Sequence, residues 1–175
     1  NVVVETGAEI GFNTTVLHNV VVGKNCKIGS HCLIKSGTVI GQRGLGFSRD
    51  IDGIPHSFPH YGSVSIGNNV EIGALNTIAA GALSDTIIDD HVKTDDHVHI
   101  AHNVRIGSRT IIAACGLVSG STVIGDQVWL GPNCSIIDKV SIGRNAFIGI
   151  GSAVTKSVPD FVVVAGNPAK FLKQI

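Results

Sequence analysis

The stretch Ile100–Ile124, IAHNVRIGSRTIIAACGLVSGSTVI, decides the fold. Ile100, Ile106, Ile112, Val118 and Ile124 stand six residues apart, and Val104, Thr110, Gly116 and Thr122 each follow four residues later. An α-helix returns its apolar face about every 3.6 residues, which six does not fit. A six-residue unit is instead a short strand and a sharp corner, with two inward side chains. Three units close a triangular coil of about 18 residues, and stacked coils bury one continuous interior.

The same register runs outward in both directions. It is carried by Val4, Ile10, Val16, Val22, Ile28, Ile34 and Ile40, then by Ile66, Ile72 and Ile78. It resumes at Ile88 and continues through Leu130, Ile136, Ile142, Ile148 and Val154, with Thr94 the one non-aliphatic member. Gly follows the aliphatic residue at Gly29, Gly107, Gly125 and Gly143. At corners, Gly answers a need for positive φ or for close backbone approach. The expected fold is an all-β parallel β-helix over residues 1–157.

Two interruptions break the register. Residues 42–63, QRGLGFSRDIDGIPHSFPHYGS, predict a loop projecting from one corner. Long loops in compact domains are usually functional, so a flap over a substrate cleft is expected, with a purely structural excursion as the alternative. Residues 79–87 form a shorter slip. Beyond Val154, the segment 158–175 reads as a cap ending in a short amphipathic helix, which covers the open end of the solenoid.

Composition limits the function classes. The 175 residues carry 13 basic and 13 acidic side chains without a basic block, which argues against nucleic acid as a partner. No apolar run is long enough for a membrane span, and a cytoplasmic protein is expected. Cys26, Cys32, Cys115 and Cys134 lack CxxC spacing and read as reduced, buried thiols. Met is absent, even at residue 1, so a processed or truncated chain lacking an upstream domain is expected.

Candidate chemistry gathers in DDHVKTDDHVHIAHNVRIG, residues 89–107. With Ile100 and Val104 inward, His102 points outward, among Asp89, Asp90, Asp95 and Asp96. Those carboxylates, Asp96 in particular, are candidates to orient the imidazole and hold its tautomer. A zinc site on His91, His97 and His102 is the rival reading, with the aspartates as outer partners. Different corners of one coil point in different directions, so such a metal would need a subunit interface. We therefore expect no metal.

The hexads resemble the hexapeptide-repeat acyltransferase superfamily. VIGQRGLGF, VSIGNNVEIGA, GALSDTII and above all HIAHNVRIG resemble UDP-3-O-acylglucosamine N-acyltransferases of lipid A biosynthesis. The resemblance implies a left-handed β-helix, a homotrimer with grooves between subunits, and His102 as general base. It also implies that the amide of Gly120, 18 residues further on, stabilises the oxyanion. Acceptor-binding roles are implied for Phe47, His99, Asn103 and Lys139, the last standing where that family carries a second active-site His. The co-substrate would be acetyl-CoA or another acyl thioester on coenzyme A or acyl carrier protein, and the acceptor a sugar or sugar nucleotide. No tightly bound cofactor is implied.

Three departures bear on substrate identity. Ala79-Ala80 replaces the family's Asp-Arg, Lys139 replaces the second His, and the uridine-binding domain lies outside these residues. The C-terminal VVVAGNPAKFLKQI instead resembles acetyl-CoA-using members, making Asn167, Pro168 and Lys170 coenzyme-binding candidates; a plain cap is the alternative. Two other functions stay open here: a γ-class carbonic anhydrase-like zinc enzyme, and a non-catalytic trimeric β-helix module.

Overall fold

The computed structural model describes residues 1–175 as strands and turns alone. Short strands stack into three walls of eight, seven and nine strands, parallel and taking one strand per coil except for the last strand of the third wall. The architecture is a left-handed parallel β-helix. Along the regular part each strand pairs with the one 18 residues on: His99 with Leu117, Arg105 with Val123, and Ile111 with Trp129. One coil therefore equals three hexads. No helix is long and apolar enough to cross a membrane.

Packing follows the two inward positions of each hexad. Ile100, Val104, Ile106, Ile112, Val118 and Ile136 are fully buried within a core cluster of 32 residues. Such β-branched side chains suit short buried strands. Thr94 fits because its hydroxyl donates to Asn76 Oδ1 at 2.9 Å, while Asn76 Nδ2 donates to the carbonyls of Ala74 and Asp95. Thr94 and Asn76 thus satisfy one another, as burial requires.

The corners divide the two roles expected of Gly. Positive φ falls on non-glycine residues at six-residue spacing, including Asn103, Arg109, Cys115, Ser121 and Gln127. The glycines after the isoleucines serve close approach instead. A Cβ on Gly107 would stand 2.6 Å from the Gly125 carbonyl carbon of the next coil.

The two interruptions are measurable as register changes. Ile40 pairs with Ile78, a step of 38 residues, because residues 44–63 leave the coil while Gln42 and Arg43 stay paired with Ala79 and Ala80. Within them, Phe47–Arg49 and Pro55–Ser57 form an antiparallel hairpin. Thr77 then pairs with His99, a step of 22, so the second slip inserts four residues.

The C-terminal helix is not formed. Val162–Ala165 extends the third wall beside Phe147–Ile148, and Lys170–Gln174 turns back antiparallel upon it. The reason is edge pairing: the last coil leaves open donors and acceptors that a helix could not satisfy. Alternating burial of Val162 and Val164 is the strand period, and Gly166-Asn167-Pro168 supplies the reversal. Cys26, Cys32 and Cys134 are buried free thiols as expected, but Cys115 is exposed because it occupies a corner.

Candidate active site

A groove of about 500 Å³ opens on the first wall where the projecting loop folds back. Its lining includes Arg43, Leu45, His99, His102, Leu117 and Gly120. Ile100 and Val104 anchor their hexad inside the prism, so His102 between them is left at the corner facing the groove.

The protonation pattern of His102 follows from its neighbour. Asn103 Nδ2 donates to the Ser84 carbonyl at 2.9 Å, and Asn103 Oδ1 accepts the Ala82 amide at 3.0 Å. Those two backbone partners fix which end of the side-chain amide is oxygen. Oδ1 also stands 3.1 Å from His102 Nδ1, so Nδ1 must carry the proton and donate. Nε2 is left with its lone pair, the form a general base requires. The four-residue slip thus has a use: its backbone holds the side chain that sets the tautomer.

Gly120 lies one coil on, with the Ser121 amide bonded to the His102 carbonyl at 3.0 Å. A Cβ on Gly120 would fall 2.8 Å from His102 Cε1 and 2.9 Å from Nε2. Only glycine leaves the ring its place. The Gly120 amide donates to no group of the chain, whereas its neighbours Ser119 and Ser121 both do.

The loop contributes a residue that sequence spacing missed. His60 packs edge-on against His102, with ring centroids 5.5 Å apart, and stacks on Phe58. Both His60 ring nitrogens are buried without a partner. Desolvation lowers its pKa below the ordinary histidine value, and the Arg43 charge acts the same way. His99 stands over the groove, its Nδ1 2.6 Å from Thr77 Oγ1, and desolvation lowers its pKa too.

Asp96 does not meet His102. Its Oδ1 accepts the Ala74 amide at 2.7 Å. This belongs to a ladder of corner acceptors in which Asp90 takes the Asn68 amide, Asp126 that of Ser108, and Asp160 that of Arg144. Of the acidic residues flanking the histidines, Asp90 and Asp96 therefore tie coil to coil. No carboxylate is hydrogen-bonded to His102. His91 and His97 occupy left-handed corners, with φ of 62° and 60°, and no three His, Cys, Asp or Glu side chains of the chain converge.

The other candidates are dispersed. Phe47 sits on the hairpin beneath the Arg49 guanidinium and does not line the groove, since its strand points it outward. Lys139 donates its amide to the Gly120 carbonyl, but its ammonium reaches towards Asp138. Asn167, Pro168 and Lys170 lie in the C-terminal reversal on the third wall, away from this groove.

The stacked hexapeptide coils define the class of left-handed parallel β-helix proteins. The model of bacterial transferase hexapeptides (six repeats) matches residues 1–42 and 121–156. The chain is 38% identical over 151 residues to a protein of Janthinobacterium sp. (strain Marseille) named UDP-3-O-acylglucosamine N-acyltransferase, covering 86% of this chain and 43% of that protein. A Bordetella pertussis protein of the same name is 42% identical over 134 residues, covering 75% and 37%. The solved UDP-N-acetylglucosamine acyltransferase of Francisella novicida superposes with a TM-score of 0.90 at 24% identity, covering 99% of this chain and 62% of that one. The chain thus carries bacterial transferase hexapeptide repeats at both ends and resembles these acyltransferases, and it spans less than half the length of the two curated relatives.

Proposed function

We propose that the chain transfers an acyl group from a thioester to the amine of an amino sugar or sugar nucleotide, in surface-polysaccharide or lipid A-type biosynthesis. The carrying observation is the Asn103–His102 contact at 3.1 Å, which leaves Nε2 as the basic nitrogen beside the free Gly120 amide. The relatives named UDP-3-O-acylglucosamine N-acyltransferase support the acceptor class.

In the reaction, the acceptor amine attacks the thioester carbonyl while Nε2 removes its proton. The carbonyl oxygen gains negative charge and accepts the Gly120 N–H. The C–S bond then breaks, and the thiolate leaves with the proton held on the imidazolium. No covalent enzyme intermediate is needed, and burial raises the pKa of Cys26, and that of Cys134 to about 11. Leu45 and Leu117 stand exposed at the groove mouth, which supports a homotrimer whose neighbouring subunit closes the groove. The cytoplasm, where acyl thioesters and sugar nucleotides are made, suits the reaction.

The test is mass-spectrometric detection of N-acylation. UDP- and dTDP-amino sugars would be offered with acetyl-CoA, longer acyl-CoA and acyl carrier protein thioesters, alongside thermal shifts for each ligand. An acylated amino sugar is expected. Stoichiometric zinc lost on replacing His91, His97 or His102, together with CO₂ hydration, would replace this reading by the hydratase. A folded trimer without turnover would leave an assembly module.

A further inference from the structure

A second cleft of about 330 Å³ lies between the projecting loop and the body, beside the groove. Lys24, Asn25, Arg43, His60 and Tyr61 line it, and none of its lining residues is acidic. Arg43 lines both spaces. Neither Lys24 nor Arg43 has a carboxylate partner among the six ion pairs, all formed elsewhere. The nearby Glu5 carboxylate accepts the Lys24 backbone amide at 2.9 Å.

The backbone explains why Arg43 is there. Val39–Arg43 pairs with Thr77–Ala80 throughout, the register shifting after Ile78 with Gly41 at φ 87° as the extra residue. Such a bulge re-aims the residues beyond it. Arg43 comes opposite Ala80, whose small side chain leaves the guanidinium room. The Arg43 charge acts on His60, which lines the same cleft.

We propose that Arg43 and Lys24, with the ring of His60, form an anion subsite for the phosphate of a substrate whose reacting end lies at His102. Guanidinium pairs with two phosphate oxygens at once, and ammonium adds a point charge. Under the acyl-transfer reading, on which this substrate assignment rests, the phosphate is either the nucleotide diphosphate of the acceptor or the phosphate of the donor's pantetheine arm.

The site is tested first without any turnover, by titrating inorganic pyrophosphate into the full chain by calorimetry. Binding weakened by salt is expected. Arg43→Gln should weaken it by about 10- to 100-fold and Lys24→Gln by less, whereas Lys173→Gln should leave it unchanged. All three positions are exposed, so the variants should melt with the parent. Equal affinity in the parent and Arg43→Gln, or no binding by the parent, would overturn the subsite whether or not the chain acylates sugars. Binding lost in Arg43→Gln by a chain without turnover would uphold the subsite and remove the acyl-transfer reading alone. With turnover, the Arg43→Gln effect on KM should vanish for the substrate stripped of its phosphate: acyl-pantetheine if the donor's phosphate is held, a nucleotide-free amino sugar if the acceptor's. Persistence with both would overturn the assignment.

Discussion

The side-chain oxygen of Asn103 stands 3.1 Å from Nδ1 of His102 and accepts the Ala82 amide at the same time. The imidazole is thereby oriented by its own neighbour in the chain, which a four-residue slip one coil earlier holds in place. Asn103→Asp keeps both acceptor contacts but puts a carboxylate against the ring. A carboxylate favours protonated imidazole, so the acidic limb of the rate profile should move to higher pH. Asn103→Ala should lower kcat by about 10- to 100-fold through loss of the tautomer lock. Steady-state pH profiles check both, and an unmoved acidic limb in Asn103→Asp would contradict the contact.

Gly120 leaves no room for a methyl group beside the base. Its φ is not left-handed, so alanine costs little backbone strain, but the new Cβ would lie within 3 Å of the His102 ring. Gly120→Ala should therefore cut turnover by about 10²-fold or more while the melting temperature changes little. Kinetics and a melt on the same preparation separate a displaced base from an unfolded chain.

Asp96→Ala should behave in the opposite way. It orphans the Ala74 amide, a loss of about 1 kcal/mol of stability, and leaves kcat unchanged because the carboxylate belongs to the corner ladder. A fall in kcat at constant stability would return Asp96 to the active site.

His60 makes stability depend on pH. Its folded-state pKa lies below the ordinary value of 6.5, chiefly because burial disfavours the cation. The unfolded chain then binds the extra proton first, so stability is full above about 6.5 and falls as pH drops through the folded value. His99 has the same sign and cause. Replacing His60 by Phe should flatten the loss of melting temperature between about pH 6.5 and 5. An unchanged slope would show that His60 is as protonated in the fold as outside it.

Much of this was legible in the amino-acid order because hexad spacing is a packing constraint: Ile100 and Val104 had to face inward, which put His102 outside. Thr94 was legible as an exception, but its partner Asn76 belongs to the coil before. Asp96 misled because six residues separate it from His102 in sequence, while a corner turns the two in different directions. His60 was invisible for the converse reason, since only the folding back of residues 42–63 brings it to the ring. The last strand was read as a helix because an amphipathic pattern this short does not distinguish a turn of helix from a strand on an open edge.

The central claim is that Nε2 of His102 removes the acceptor's proton, and the most direct measurement is the turnover of His102→Ala under conditions where the parent acylates an amino sugar. The account predicts a fall of at least about 10²-fold with the β-helix and its assembly state intact. Turnover equal to the parent's would contradict it.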